Sequence, residues 1–414
     1  KYKDVKITYK LKKSKGNVKS KRGAKMKIRK VLISLVTCFI VSCFIHVTIV
    51  RADDLVTDGK AAILIEAETG EILYEKNSHE QLAPASMTKM MSMYLILEAI
   101  NNGSMQWDEV IRVSEHAASL GGSQIYLKPG EEMQVRDLFK SIAIASANDA
   151  VTALAERVAG TEEAFVEKMN AKAKELGMND TVFKNPTGLT EEGHLTTPYD
   201  MSIIGRHLVQ DYPEIIEFSG LYEDYIRQDT ESPFWLVNTN KLLKYVDGVD
   251  GLKTGYTQEA GYCLTATANR GEMRVIAVVM GASKSDIRNQ EVTRLIEYAY
   301  GQYELVQKLE GQKVVSNGYN MLAKNRSFEI VTSEPVTVLK KKTDAEQESK
   351  YDLSLNEEIK LPIQPGDQVG ILTYYYNGKA YKEIPLTVKE PVEKNSFIGL
   401  LGYIVSQILF GENA

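Results

Sequence analysis

Three short segments of the chain carry side chains that could perform nucleophilic chemistry. In the first, Ser86 and Lys89 stand three residues apart, so on a helix both lie on one face, a single turn apart. A serine hydroxyl attacks well only when a base removes its proton. A lysine is such a base when desolvation or neighbouring cations lower its pKa. By itself this spacing is equally typical of a helix-capping serine followed by a surface lysine.

The other two segments supply further polar groups. Residues 146–148 (Ser-Ala-Asn) lie between two helical patterns, where such a triplet alone indicates a helix break and cap. Residues 253–255 (Lys-Thr-Gly) precede Tyr256 and a strand pattern, and alone they indicate a turn into a strand with a solvated lysine. Each triplet is common, but all three in this order are not. The combination therefore favours an active site over three unrelated caps and turns.

The elements that must position these segments form an α+β pattern. Apolar runs at 62–65 and 72–74 flank a Glu-Thr-Gly-Glu turn and predict an early β-hairpin, and strands at 262–268 and 273–280 predict a second antiparallel pair. Helices are predicted at 87–100, 135–145, 147–158, 162–176, 199–209 and 286–303. We therefore predict an antiparallel sheet flanked by helices.

The pattern changes beyond residue 309. Short runs rich in Val, Ile, Thr and Tyr alternate with turns, which predicts a small all-β domain. These runs are 328–331, 336–339, 369–376 and 380–388. The largely apolar segment 396–410 is too short to span a bilayer comfortably and predicts an amphipathic anchor at the membrane surface. The alternative is a terminal helix docked on the protein's own core.

Length and charge limit the possible functions. A chain of 414 residues is long enough for two domains, and 25% charged with 43% hydrophobic residues is typical of a globular protein. Residues 1–52 carry 15 Lys/Arg and one acid, which leaves 50 − 15 = 35 basic and 55 − 1 = 54 acidic residues, a net charge of −19, for residues 53–414. Because phosphate binding needs a basic surface, an acidic body argues against a nucleic-acid partner.

The basic leader has the pattern of a secretory signal peptide. A positive stretch at 25–30 precedes an apolar run at 31–50, and Val50 and Ala52 provide small residues for cleavage after Ala52. The alternative is a retained transmembrane helix, and residues before Met26 are interpreted as an upstream extension. Either interpretation places the body outside the cytoplasmic membrane. Cys263 is the sole cysteine after the leader and is predicted to be a buried core residue.

The three motifs together are the signature of penicillin-binding proteins and class A β-lactamases. The sequence closely resembles the low-molecular-mass penicillin-binding proteins, the serine-type D-alanyl-D-alanine carboxypeptidases of peptidase family S11. The resemblance covers residues 55–390 and includes further matching segments at 121–123, 183–189, 238–240 and 261–262. It implies a leader (1–52), a catalytic transpeptidase-like domain (53–305), an all-β domain (306–390) and an anchor (391–414).

The resemblance also implies catalytic roles. Ser86 would attack the carbonyl between the two terminal D-alanines and become acylated, and Lys89 would take its proton. Ser146 would relay a proton to the departing D-alanine, and Asn148 would help to hold Lys89 and the substrate peptide.

A second group of residues is implied to bind substrate. Lys253 would supply positive charge beside the relay serine, and Thr254, followed by Gly255, would offer a hydroxyl to the terminal carboxylate. The backbone N–H groups of Tyr256 and of the nucleophile would form the oxyanion hole. Tyr256 stands where a histidine is common in the family, so a change in side-chain selectivity is expected. Arg288 falls at the spacing of the family's carboxylate-binding arginine, although an exposed helix residue is the alternative.

The expected function is removal of the terminal D-alanine from peptidoglycan stem pentapeptides, with covalent inhibition by β-lactams. No metal or organic cofactor is expected, because the chain has no His-Glu-x-x-His motif and no Cys/His cluster. A class A-like β-lactamase is one competing hypothesis, since Glu175 and Asn179 superficially fit its deacylation motif, but a helix end at Gly177 is the preferred interpretation. Two further hypotheses are a catalytically silent wall-binding protein on the same fold and a transpeptidase.

Overall fold

The computed structural model describes residues 55–356 and 358–410, so the predicted leader lies outside the described residues. The strands of residues 55–302 are β1 (Ala61–Glu66), β2 (Ile72–Lys76), β3 (Val110–Arg112), β4 (Glu132–Gln134), β5 (Glu223–Ile226), β6 (Phe234–Val237), β7 (Val249–Thr257), β8 (Gly261–Arg270) and β9 (Met273–Ala282). The helices are a 3-10 turn (Ala85–Thr88), α1 (Lys89–Asn101), α2 (Glu115–Ser119), α3 (Val135–Ala145), α4 (Asn148–Ala159), α5 (Glu162–Glu175), α6 (Pro198–Asp211), α7 (Ile215–Ser219), α8 (Leu242–Tyr245) and α9 (Ser285–Gln302).

A five-stranded antiparallel sheet organises this part of the chain, in the order β2-β1-β9-β8-β7. The central strand β9 has an apolar run over 275–280 that is buried throughout, as expected for a strand covered on both faces. One face packs on a core that includes α1 and α3–α6, and α9 covers the other face with Val292, Leu295 and Ile296. The predicted α+β fold and the early hairpin are therefore confirmed.

The remaining chain forms an all-β domain, as predicted. Its strands are β10 (Tyr303–Leu309), β11 (Val314–Tyr319), β12 (Ser327–Thr332), β13 (Val336–Lys341), β14 (Ser349–Leu355), β15 (Gly370–Tyr376) and β16 (Lys379–Val388). They build a five-stranded sheet, in the order β11-β12-β16-β15-β14, and a β10–β13 pair. A core of alternating inward residues such as Ile330, Leu372 and Ile384 lies between them.

The all-β domain joins the preceding part of the chain without a linker. Helix α9 ends at Gln302 and β10 begins at Tyr303. Leu339 of β13 belongs to the same buried cluster as α9, and the Tyr381 hydroxyl donates a hydrogen bond of 2.9 Å to the Glu71 carboxylate. These contacts fix the two domains against one another near the β1–β2 turn.

A final helix, α10 (Phe397–Phe410), follows the all-β domain. Its apolar side chains lie largely in solvent: Phe397 and Ile398 are 80% and 81% exposed. The Arg326 guanidinium lies over the Tyr403 ring and holds this helix on the all-β domain. Among the described residues, the structure contains no helix with the length and hydropathy needed to cross a bilayer.

Candidate active site

Ser86 and Lys89 meet at a tight turn before a buried helix. Ser86 lies in the 3-10 turn, called the nucleophile turn below after the role predicted for Ser86, and Lys89 is the first residue of α1. This corrects the prediction that one continuous α-helix begins at residue 87. The tighter turn brings side chains at i and i+3 almost into line. The Lys89 Nζ atom lies 3.1 Å from the Ser86 Oγ atom. The predicted pairing of serine and lysine is therefore present in the structure.

Lys89 is fully buried and contacts oxygen atoms from two other segments. Its Nζ atom donates hydrogen bonds to Asn148 Oδ1 at 2.7 Å and to the Thr187 carbonyl at 2.6 Å. Burial holds the pKa of Lys89 well below its ordinary value, and the Lys253 charge lowers it further, against a smaller opposite effect of Asp149. A neutral amine has two N–H donors and one lone pair. In this neutral form the two oxygen acceptors would use both donors, which leaves the lone pair for the Ser86 hydroxyl.

Asn148 connects Lys89 to the loop on the opposite side of the site. It is the first residue of α4, its Nδ2 atom donates to the Gly121 carbonyl at 2.7 Å, and its backbone N–H donates to the Ser123 carbonyl at 2.7 Å. A Cβ atom on Gly122 would lie 2.8 Å from Asn148 Nδ2, so glycine is needed there for the close approach. The 121–123 segment thus positions the amide.

Ser146 ends α3 in a left-handed backbone conformation, with φ of 62°. The residue is 3% exposed, and its hydroxyl has no hydrogen-bond partner in the part of the chain that the structure describes. A buried hydroxyl without a partner and a non-glycine residue at positive φ both cost free energy. Such costs are typical of functional sites, where a substrate group can complete the hydrogen bonding.

The segment 185–189 closes the site behind Ser86. Asn185 Oδ1 accepts hydrogen bonds from the Thr187 hydroxyl and from the Gly188 N–H, which shapes the turn that presents the Thr187 carbonyl to Lys89. Gly188 has φ of 80°, and a Cβ atom there would lie 1.8 Å from the Ala85 carbonyl oxygen. Sequence reasoning matched this segment to the family without giving it a role, because a backbone carbonyl leaves no side-chain signature.

The Lys-Thr-Gly segment lies inside β7, at the edge of the sheet, and not at a turn before the strand. Lys253 is 1% exposed and its Nζ atom donates to the Thr254 carbonyl at 3.1 Å. Burial, with the Arg288 charge, lowers the pKa of Lys253 to about 7. The Thr254 hydroxyl lies 2.6 Å from the Thr239 hydroxyl. A Cβ atom on Gly255 would lie 2.9 Å from the Pro84 carbonyl, so β7 touches the nucleophile turn.

Arg288 is a buried residue of α9 and not an exposed one. Its guanidinium donates to the Cys263 carbonyl at 3.2 Å and to Asn289 Oδ1 at 2.7 Å. Burial lowers the pKa of Arg288 to about 10, which leaves it charged at neutral pH.

Tyr256, in contrast to Arg288, is exposed, and its ring stacks on Tyr262 with ring centroids 4.3 Å apart. Cys263 is buried, as predicted.

Two more residues, His194 and Glu175, bear on the assignment of the site. His194 was missed by sequence reasoning: its Nε2 atom lies 3.0 Å from the Thr88 hydroxyl, and burial lowers its pKa to about 4. It ties the nucleophile turn to the chain that follows the 185–189 segment.

Glu175 is the last residue of α5, and its carboxylate forms an ion pair with Lys172. Gly177 follows at positive φ, as predicted for a helix end. This carboxylate therefore serves an ion pair on the surface of α5.

Comparisons with known proteins agree with this architecture. The family model described as D-alanyl-D-alanine carboxypeptidase (peptidase S11) matches residues 47–284, and the model of the penicillin-binding protein 5 C-terminal domain matches residues 303–394. The D-alanyl-D-alanine carboxypeptidase DacF of Bacillus subtilis is 50% identical over 351 residues, which are 85% of this chain and 90% of the relative. DacC of Escherichia coli is 33% identical, over 83% of this chain and 86% of the relative.

Solved structures show the same fold. Penicillin-binding protein 5 of Haemophilus influenzae superposes with a TM-score of 0.68 at 28% identity, covering 81% of this chain and 98% of that one. Penicillin-binding protein D2 of Listeria monocytogenes, in its ampicillin-bound form, has a TM-score of 0.54 at 34% identity, covering 59% of this chain and 98% of that one.

Fold and site together define a low-molecular-mass penicillin-binding protein. The chain belongs to the peptidase S11 family of D-alanyl-D-alanine carboxypeptidases. The resemblance drawn from the three motifs and the serine-type carboxypeptidase class are thereby confirmed.

Proposed function

We propose that this serine-type D-Ala-D-Ala carboxypeptidase removes the terminal D-alanine of peptidoglycan stem pentapeptides through an acyl-enzyme on Ser86. The observation that carries the proposal is the environment of Lys89. Two oxygen acceptors occupy the donors of a neutral amine, and the Ser86 hydroxyl lies 3.1 Å from its nitrogen. A desolvated lysine of lowered pKa is the general base that a serine nucleophile requires.

In the proposed acylation step, the Ser86 oxygen forms a bond to the carbonyl carbon of the penultimate D-alanine while its proton passes to Lys89. The N–H groups of Ser86 and Tyr256 stabilise the oxyanion. Lys89 and then Ser146 return the proton to the departing amine as the C–N bond breaks. Water then attacks the ester, again with Lys89 as base, and releases the shortened peptide. The Ser146 hydroxyl, which has no hydrogen-bond partner among the described residues, supports its assignment as the relay.

The proposed recognition of the terminal carboxylate rests on β7 and α9. The Thr254 hydroxyl, oriented by Thr239, would donate to the carboxylate. The guanidinium charge of Arg288 and the protonated form of buried Lys253 supply a positive field, and the close packing of Gly255 on the nucleophile turn keeps β7 near Ser86. Asn148, besides holding Lys89, offers its amide to the substrate peptide.

The test is a Ser86→Ala variant with a fluorescent penicillin and with diacetyl-Lys-D-Ala-D-Ala. The wild type should release D-alanine and carry one penicillin adduct on the peptide that contains Ser86, by mass spectrometry. Ser86→Ala should lose both and keep its melting temperature to within a few degrees. A label on another residue, or no label on a folded wild type, would refute the proposal. Sustained hydrolysis of nitrocefin by the wild type would favour a β-lactamase instead.

We also propose that the protein is secreted through the 1–52 leader and is held at the outer face of the membrane by 391–414. The exposed apolar side chains of α10 support this, because a 14-residue helix of about 21 Å is shorter than the ~30 Å hydrocarbon core yet can lie in the interface. Protein lacking 395–414 should stay in the supernatant with anionic lipid vesicles, while the full-length protein co-sediments. Equal sedimentation of both would contradict the anchor.

A further inference from the structure

Tyr256 and Tyr262 form an aromatic pair at the edge of the candidate active site. The two residues lie directly opposite each other in the β7–β8 pair, and their rings stack at 4.3 Å with an interplanar angle of 29°. The Tyr256 side chain is 56% exposed even so. One face of the Tyr256 ring is therefore fixed by its neighbour, and the remainder is open to a ligand.

The two faces of β7 differ sharply beside the nucleophile. A Cβ atom on Gly255 would lie 2.9 Å from the Pro84 carbonyl and 3.1 Å from the Ala85 Cβ atom, so this face is closed by the nucleophile turn. Side chains alternate along a strand, so Thr254 and Tyr256 project from the opposite face. Tyr256 is open on that face, whereas Thr254 is small and already paired with another hydroxyl.

The closed and the open face of β7 would accept different side chains of a peptide that binds along this strand. Strand β7 is the outermost strand of its sheet and can accept an extended peptide as an additional antiparallel strand. If the Tyr256 N–H holds the scissile carbonyl, the penultimate residue lies opposite Tyr256 and the terminal residue lies opposite Gly255. An L side chain at the terminal position would project on the Gly255 face. A D side chain projects on the other face, between Thr254 and Tyr256.

We propose that the Tyr256 ring, held by Tyr262, is the wall of the subsite for the terminal D-residue and limits that residue to a methyl-sized side chain. This inference rests on the proposed function. Tyr256 acts here as a specificity-determining side chain, separate from its backbone N–H. The same geometry excludes a terminal L-residue by the nucleophile turn, independently of the tyrosine ring.

The experiment compares peptides of the form diacetyl-Lys-D-Ala-X, with X as D-Ala, D-Leu or L-Ala. The readout is the ratio of kcat/KM for D-Leu to that for D-Ala. Tyr256→Ala should raise this ratio at least about tenfold, because a pocket that is too small by one or more methylene groups lowers kcat/KM by about that factor. Tyr256→Phe should keep the wild-type ratio because it retains the ring. Tyr262→Ala should raise the ratio partially, since the ring loses its support.

Two controls keep the inference separate from the proposed function. Tyr351→Ala, a similarly exposed tyrosine of β14 in the all-β domain, should leave the ratio unchanged. Tyr256→Ala should not improve the peptide that ends in L-Ala. If the wild type hydrolyses the D-Ala peptide but the Tyr256→Ala ratio stays within twofold of wild type, this inference is wrong. If the wild type hydrolyses none of the peptides, the proposed function itself fails.

Discussion

Replacing Gly188 with alanine would test whether the 185–189 segment fixes the position of Ser86, the proposed nucleophile. A Cβ atom at this position would lie 1.8 Å from the Ala85 carbonyl oxygen and 2.9 Å from the Ser86 backbone nitrogen. Reaching ordinary van der Waals contact requires a displacement of about 1.5 Å. Because the nucleophile turn and the loop are both tightly packed, part of this displacement must move Ser86 or the Thr187 carbonyl relative to Lys89.

The expected loss follows from that displacement. A reacting group misplaced by about 1 Å loses about 10²-fold in rate, so penicillin acylation of Gly188→Ala should be at least about 100-fold slower. Positive φ adds a backbone cost of about 1–2 kcal/mol for alanine. Gly177→Ala is the matched control: Gly177 has φ of 83°, but a Cβ atom there would meet no atom of the described residues within 4 Å.

The assay is stopped-flow acylation by a fluorescent penicillin, together with thermal unfolding of both variants. Both should lose stability from the backbone strain, and Gly188→Ala should lose more because of the clash. Gly177→Ala should acylate at close to the wild-type rate. A folded Gly188→Ala protein that acylates within twofold of wild type would refute the reasoning, since the loop would then not control the position of Ser86.

Two further predictions concern charge. Lys253→Met removes a charge that lowers the pKa of Lys89, so that pKa should rise. In the proposed mechanism, acylation needs neutral Lys89, so its rate falls as the pH drops through the pKa of Lys89. The acidic limb of the acylation rate against pH should therefore move to higher pH in Lys253→Met, and an unmoved limb would contradict the coupling. Glu291 is fully buried and accepts the backbone N–H groups of residues 57, 58 and 59 at 2.7–3.0 Å. Glu291→Ala should therefore lower the free energy of unfolding by about 3 kcal/mol in urea titrations, whereas a loss below about 1 kcal/mol would show that water replaces the carboxylate.

The sequence predicted those features that depend on local patterns. Helix α3 occupies the predicted residues 135–145, and the strands around 262–268 and 273–280 are each extended by only a few residues. The meeting of Ser86 with Lys89 followed from spacing, and the contact of Asn148 with Lys89 followed from the family motif.

Features that depend on tertiary contacts were not predicted. The turn at Ala85, with φ of 47°, is imposed by its packing against Gly188 and β7, so the helix starts later than its apolar pattern suggests. The β5–β6 hairpin has four-residue strands, too short for a clear alternation. His194 had no motif partner in sequence, because its contact with Thr88 joins residues 106 positions apart.

The direct passage from α9 into β10 has a mechanical consequence. With no spare residues between Gln302 and Tyr303, and with Tyr381 bonded to Glu71, neither domain has the freedom to swivel independently. The two domains should therefore tumble together in solution as one rigid unit. The distance from the cleft to the all-β domain is then set by the fold, because this junction leaves no flexible segment between them.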